Sequence, residues 1–406
     1  MPGAGAGVLD VLIVGAGPTG LTAGCLLARA GLSVRIVRKH RPFSGHSRAS
    51  VIWPHALAIL EPTGVTDVLA ASGSRVTRLG YYSSGDPIGR FEIDRLTDTR
   101  YGFALGVSQH DTEAALESAF LVAGGEVDDG EVVHLDQDDQ QVTVQVRSDG
   151  QLASRSARLL VGADGAGGAV RGLLGIAMAD VGPRVSFRIA DAVIDGLPED
   201  EAAYCWTPGG GLAIGPHDRR AYRLAYRLTP DSPDASAASF QRLLDERGPR
   251  TRRGVVRDLV STADFEARFA IADAFGLGRC LLAGDSAHVM APAGGQGMNS
   301  GILDAAALSW RIVEARRNGL ESPLAENFLQ DYDAERQSAI RLVMATAIEH
   351  ARDGGLRDGA EIAARDGRYA AMSDDPRAHV DRVARMSQLH VPGNPGNRRE
   401  SEASHA

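Results

Sequence analysis

Of 406 residues, 44% are apolar and 23% charged, the ordinary balance of a globular enzyme and enough chain for two domains with separate cores. A formal charge of −9 at pH 7 disfavours nucleic acid and anionic membrane surfaces as partners, because neutralising phosphates needs a basic face. Three cysteines (Cys25, Cys205, Cys280) without CxxC or Cys/His spacing exclude a disulfide framework and a metal site, and Lys39, the only lysine, excludes most lysine chemistry.

No basic, apolar leader opens the chain, and nowhere do about 18 apolar residues run together, so a cytoplasmic monomer or homodimer without a membrane span is expected. Val11 to Val14 reads as a short strand, Gly15-x-Gly17-x-x-Gly20 as a turn, and Pro18 to Ala30 as a helix stopped by Gly31. Ser33 to Val37 is the second strand, which completes the opening βαβ unit of a doubly wound sheet. Gly15 permits the tight turn, Gly17 lets a pyrophosphate reach the backbone, and Gly20 lets the helix pack on the sheet. The phosphates then meet free N–H groups at the positive end of the helix. An acid is expected after the second strand, to take the ribose hydroxyls. Arg38 and Lys39 stand there, followed by His40 and Arg41, which gives a second reading as an NADP 2′-phosphate site.

Further along, His110 to Val122 reads as a helix, and Glu131 to Leu135, Val142 to Val146 and Ser154 to Val161 as strands, with a turn at Ser148 to Gly150. Gly162-Ala-Asp164-Gly165, followed by Val170 and Arg171, is a second motif at a strand end. Residues 182–267 are strand-rich, including Ser186 to Ala190 and Arg219 to Leu228. The strand Cys280 to Ala283 then leads into Gly284-Asp285-Ser-Ala-His288, the glycine-rich run Pro292 to Asn299, and a long helix carrying Asp304. Asp285, at a strand end, can bond a polyol, and the glycine-rich run brings bare N–H groups to a helix start, suited to an electron-rich ring edge. The pattern divides the chain into an interrupted cofactor domain (1–80, 101–181, 268–345), a substrate domain (81–100, 182–267), a helical segment (346–391) and a disordered tail (392–406).

In this order, and about 145 and 120 residues apart, the three motifs resemble those of the class A flavoprotein monooxygenases, the para-hydroxybenzoate hydroxylase group with its aromatic-polyketide hydroxylase relatives. The resemblance spans roughly residues 8–345. It implies an α/β fold: a Rossmann-like FAD-binding domain with an inserted mixed-sheet substrate domain and C-terminal helices. It further implies that Gly15, Ala16, Gly17, Pro18, Thr19 and Gly20 surround the FAD pyrophosphate and that Asp285 binds the ribityl chain. Gly295, Gly297, Met298 and Asn299 would border the pyrimidine edge of the flavin, Arg48 and Gln109 would contact FAD, and Val132 would meet adenine through its backbone. Asp164 is associated in the family with both FAD and NAD(P)H. Two positions depart from the family: Arg38 stands where a Glu is usual, which affects the ribose contact, and Gly168 where a Ser is common, which affects the NAD(P)H contact.

The chemistry so implied is reduction of FAD by NADH or NADPH, reaction with O2 to a C4a-hydroperoxyflavin, and oxygen transfer to an apolar small molecule by hydroxylation or epoxidation. An aromatic or polyketide-like substrate and a role in natural-product tailoring are the expectation. His288 has two readings, a catalytic group near the flavin or a structural cap on its turn. Pro292 is expected on the pocket wall. Tyr81, Tyr82, Phe91, Phe187, Arg188 and Trp206 are candidates for the substrate side, against plain strand packing. Two alternatives stay open: a non-redox FAD-binding protein such as a cyclase or isomerase, and another flavin oxidoreductase. A flavin halogenase would need a catalytic lysine and a WxWxIP-type segment, whereas Lys39 follows strand two and Trp53, Trp206 and Trp310 are isolated. A disulfide reductase would need CxxC and a second fingerprint.

Overall fold

The computed structural model describes residues 8–39, 49–218, 221–319 and 323–391. Arg48, His40, Arg41, the first residues of the strand expected from Arg219, and the 392–406 tail lie outside the described residues. The chain opens with strand β1 (Leu9–Val14), helix α1 (Pro18–Arg29) and strand β2 (Val34–Arg38), close to the expected bounds. Both faces of β1 are covered, so Val11, Leu12 and Ile13 are all buried and the strand reads as an unbroken apolar run.

Strands β3 (Arg78–Ser83) and β4 (Asp86–Glu92) leave for a second sheet. Helix α2 (Gln109–Val122) and strands β5 (Glu126–Asp129), β6 (Glu131–Gln137), β7 (Val142–Ser148) and β8 (Gln151–Gly162) return to the first. At the β7–β8 turn both Asp149 and Gly150 are left-handed (φ 49° and 77°), the geometry that matches hairpin twist. β8 serves twice. Its first half pairs antiparallel with β7, and its second half, from Ala157 to Gly162, pairs parallel with β1.

A short helix, α3 (Ala169–Leu173), follows the second motif. Strands β9 (Val185–Asp195), β10 (Glu201–Thr207), β11 (Gly210–Pro216), β12 (Tyr222–Arg227) and β13 (Val255–Ala267) join β3 and β4 in a seven-stranded sheet, ordered β13–β9–β12–β11–β10–β3–β4. It is antiparallel except where β10 meets β3. Strands β14 (Gly276–Leu277) and β15 (Cys280–Leu282) then rejoin the first sheet, whose order is β14–β15–β8–β1–β2–β5. Helices α4 (Gln296–Arg317), α5 (Pro323–Asp353), α6 (Gly359–Asp374) and α7 (Pro376–Met386) finish the described chain, with α6 and α7 packed on β4. This is the expected α/β architecture. Among the described residues no helix is long and apolar enough to cross a membrane.

The carboxyl ends of β1, β8 and β15 lie side by side: Val14 pairs with Gly162, and Gly162 with Leu282. Just beyond them, Ala163 N donates to Val14 O (2.8 Å) and Ala283 N to Gly162 O (3.0 Å). Three motifs distant in sequence therefore share one sheet edge. From β1 the chain reaches β2 on one side and β8 on the other, the switch point at which doubly wound sheets bind ligands.

Candidate active site

Gly15 is left-handed (φ 112°), and a Cβ built on it would lie 2.2 Å from Ala163 O, so the first motif closes directly on the second. At Gly17 a Cβ would meet nothing within 4 Å. That open face sits at the N-cap of α1, where no side chain caps the helix and Pro18 occupies the first turn. Helix-start amides beside open space fit a pyrophosphate. Asp285 is exposed in the turn after β15. Gly294 and Gly295 are both left-handed (φ 76° and 67°), and they deliver the chain to the N-terminus of α4 without a side-chain cap. The helix-start N–H groups of Gln296, Gly297 and Met298 fit the electron-rich edge of a flavin ring. The residues present at this edge thus fit FAD.

Several expected cofactor residues have protein partners instead. The Asn299 amide accepts from Trp53 N (2.8 Å) and donates to Val51 O (3.0 Å) and Gly295 O (2.8 Å). Its side chain fastens the glycine loop, which leaves the neighbouring backbone for the flavin. Asp164 accepts from Val170 N (3.0 Å) and from the Ser286 hydroxyl (3.1 Å), joining the second motif to the third. A Cβ at Gly168 would lie 2.1 Å from the Asp164 carboxyl, so glycine in place of the usual serine is what lets Asp164 cap α3. Arg38 donates to Glu117 and Asp129 (each 2.8 Å) and Lys39 to Glu131 (2.7 Å). The Asp129 bond raises the Arg38 pKa. Both cations are thus engaged by carboxylates of the protein. Gln109 Oε1 accepts from Ala49 N (3.3 Å), and the Val132 side chain is buried in β6.

His288 takes the structural one of its two readings. It is 1% exposed, and its Nε2 lies 2.6 Å from Asp304. Asp304 also accepts from Gly284 N (2.9 Å) and Arg336 Nε (2.8 Å). Burial alone would raise the Asp304 pKa, but His288 and Arg336 outweigh it and hold the carboxyl at about 2. The cluster pins the turn that presents Asp285.

A cavity of about 800 Å³ opens between the Pro292–Gly295 loop and one face of the seven-stranded sheet. Phe187, Trp206 and Pro292 line it. Tyr81, Phe91 and Arg188 do not. Helices α6 and α7 cover the face of β3 and β4 that carries Tyr81 and Phe91, packing Tyr369 on Tyr81 (4.7 Å between centroids) and His379 on Phe91 (5.2 Å). Tyr82 donates to Glu201 (2.7 Å), and Arg188 bonds Asp264, its register partner on β13. Tyr204 and His350 are among the lining residues that escaped the sequence reading. Alternation along β10 puts Tyr204 on the same face as Trp206, a signal that was available. Nothing local marks His350.

A family model described as an FAD binding domain matches residues 8–347. The chain belongs to this FAD-binding family. It is 32% identical over 399 residues to the 12-dehydrotetracycline 5-monooxygenase/anhydrotetracycline 6-monooxygenase of Streptomyces rimosus, covering 94% of this chain and 74% of the relative. The OxyS anhydrotetracycline hydroxylase from Streptomyces rimosus is structurally similar (TM-score 0.74, 26% identity, 94% of this chain and 76% of that one). The fold is also that of the p-nitrophenol 4-monooxygenase PnpA from Pseudomonas putida (TM-score 0.84, 22% identity, 95% and 99%). The protein is a flavoprotein monooxygenase that uses FAD, with NAD(P)H as reductant.

Proposed function

We propose that this monooxygenase hydroxylates or epoxidises a fused-ring aromatic or polyketide-like small molecule. One observation carries the reading: a single cavity has the cofactor loop Pro292–Gly295 as one wall and a mostly apolar sheet face as another. An apolar cavity of about 150 Å³ already accepts benzene. At about 800 Å³ the space holds a flavin ring and still exceeds what a single-ring phenol would fill. The relative named for anhydrotetracycline oxygenation supports the same substrate class.

Bound FAD would supply the redox and oxygen-transfer chemistry. The chain's own part is binding and shielding. The α1 amides and Gly17 hold the pyrophosphate. The N-terminus of α4 favours negative charge on the ring edge beside it. Phe187, Ile189, Leu212 and Ile214 exclude water from the reacting face. Titration of apoprotein with FAD, followed by flavin fluorescence, is expected to show stoichiometric binding. The holoprotein should then consume NAD(P)H and add one oxygen atom to fused-ring phenols in a mass-spectrometric panel. Turnover confined to single-ring benzoates or phenols would overturn the substrate class, and absence of FAD binding would overturn the cofactor assignment.

A further inference from the structure

The last turn of α5 forms part of the cavity wall. His350 sits there, 5% exposed, with its ring edge-on to Tyr204 (4.3 Å between centroids, 68°) and Trp206 (5.5 Å, 86°). Behind it, Arg382 of α7 places Nη2 at 3.4 Å from His350 Nδ1. A guanidinium can only donate, so Nδ1 turns its lone pair to a cation whose two Nη2 protons are shared with Tyr81 and Tyr369, and the ring proton resides on Nε2. Nε2 has no hydrogen-bond partner among the described residues, and His350 lines the cavity. The Tyr204 hydroxyl, on the same wall, likewise has none.

Arg382 is itself 4% exposed and has no carboxylate within ion-pair distance among the described residues. Its Nη2 also donates to the hydroxyls of Tyr81 and Tyr369 (each 3.1 Å), and its guanidinium lies over both rings (5.4 and 5.3 Å). Asp353 is linked to it only through the Tyr369 hydroxyl (3.0 Å) and is already bonded by Arg368 (2.7 Å), while Glu349 acts on the guanidinium at longer range. Around the cavity the same sign prevails: Arg223, Arg227, Arg352 and Arg357 line it, and among the described residues no Asp or Glu does. In a chain of net charge −9, that is a local reversal of sign. Only Arg223 of the four is held in a buried ion pair, with Asp191 (2.6 Å).

We propose that His350 is a substrate-positioning residue whose Nε2–H, backed by the Arg382 cation and flanked by the Tyr204 hydroxyl, binds an ionised phenolic oxygen of the substrate. The assignment rests on the fused-ring aromatic reading of the cavity and gives it a polarity and an orientation. Burial together with Arg382 keeps the His350 pKa well below its ordinary value, which favours the neutral imidazole as the donor. The positive charge that favours a phenolate then comes from Arg382 and the lining arginines, through a hydrogen bond that is strengthened when its acceptor is ionised.

Two probes of one ring skeleton test this on the FAD-loaded protein: alizarin, a dihydroxyanthraquinone whose visible band moves to the red on ionisation, and unsubstituted anthraquinone. Wild type should bind alizarin on the order of tenfold more tightly than anthraquinone and lower its apparent pKa by about one pH unit or more. His350→Leu should abolish both effects without altering anthraquinone affinity. His350→Gln, which keeps a side-chain N–H, should restore most of them, and Tyr204→Phe should show a smaller loss. Equal affinity for the two probes, or an alizarin pKa unchanged on binding, overturns the assignment while leaving the cavity reading intact. Equal loss of both probes in His350→Leu reduces His350 to packing and overturns it too. Binding of neither probe by FAD-loaded wild type overturns the cavity reading, and this assignment with it.

Discussion

Two buried histidines make the most instructive contrast in this molecule. His288 meets a carboxylate: Asp304 takes its Nε2, the Arg336 guanidinium and the Gly284 amide at once. His350 meets a cation and turns its remaining N–H towards a cavity. Both rings are nearly inaccessible, yet their environments are electrostatic opposites. A histidine closed inside a compensated ion cluster fixes a backbone turn. One held by a donor, with its other nitrogen facing open space, is prepared for something the protein does not itself contain.

The largest effect should come from breaking the compensated cluster. Asp304→Asn leaves Arg336 buried opposite a neutral amide, and urea unfolding should show a loss of about 3–5 kcal/mol. A loss below about 1 kcal/mol would dissolve the contrast, since the cluster would then be no pin. The same contrast extends to the backbone. Gly15→Ala forces a Cβ against Ala163 O at a left-handed position and should cost on the order of 3 kcal/mol in the apoprotein. Gly17→Ala meets no protein atom, so it should leave apoprotein melting nearly unchanged and weaken FAD binding roughly tenfold or more.

A smaller effect appears in acid. The Asp304 pKa lies at about 2 when folded, against an ordinary 3.8, so its contribution is fully present above pH 3.8 and is lost as pH falls through 2. That contribution is about 2 kcal/mol. Equilibrium unfolding should steepen over this window in wild type and lose that slope in Asp304→Asn; equal slopes would contradict the charge assignment. Smallest is Arg38→Glu, which sets an acid among Glu117 and Asp129 at a partly exposed site. Stability should fall by about 1 kcal/mol, and FAD affinity measured by fluorescence should not rise despite the more usual residue.

Local signals made the cofactor edge legible. A glycine turn, a strand before it and a helix after it are short-range facts, and β1, α1 and β2 formed within two residues of where the sequence pattern put them. Tyr81 and Phe91 read as substrate-side aromatics because strand alternation shows a face without showing what covers it. Helices α6 and α7 arrive nearly 300 residues later in the chain and bury that face. The carboxylate partners of Arg38 were out of sight in the sequence, because Glu117 and Asp129 become its neighbours only when α2 and β5 pack beside β2. His350 was invisible for the same reason. Its meaning depends on Arg382 behind it and Tyr204 beside it, and neither is a neighbour in sequence.

Helix α5 acts as a ruler. Near its start the Tyr332 hydroxyl bonds Leu282 O at the cofactor edge (2.8 Å), and His350 stands eighteen residues, or roughly 27 Å of helix, further on. Because both marks sit on one continuous rod, the reach from the cofactor edge to His350 in the cavity wall is fixed by residue count. A single-residue insertion would rotate one mark by about 100° against the other. Substrate range in descendants of this enzyme should therefore be tuned on the sheet face beside Tyr204, where Ala202, Ala213 and Ala225 can grow or be replaced while the α5 rod keeps its length.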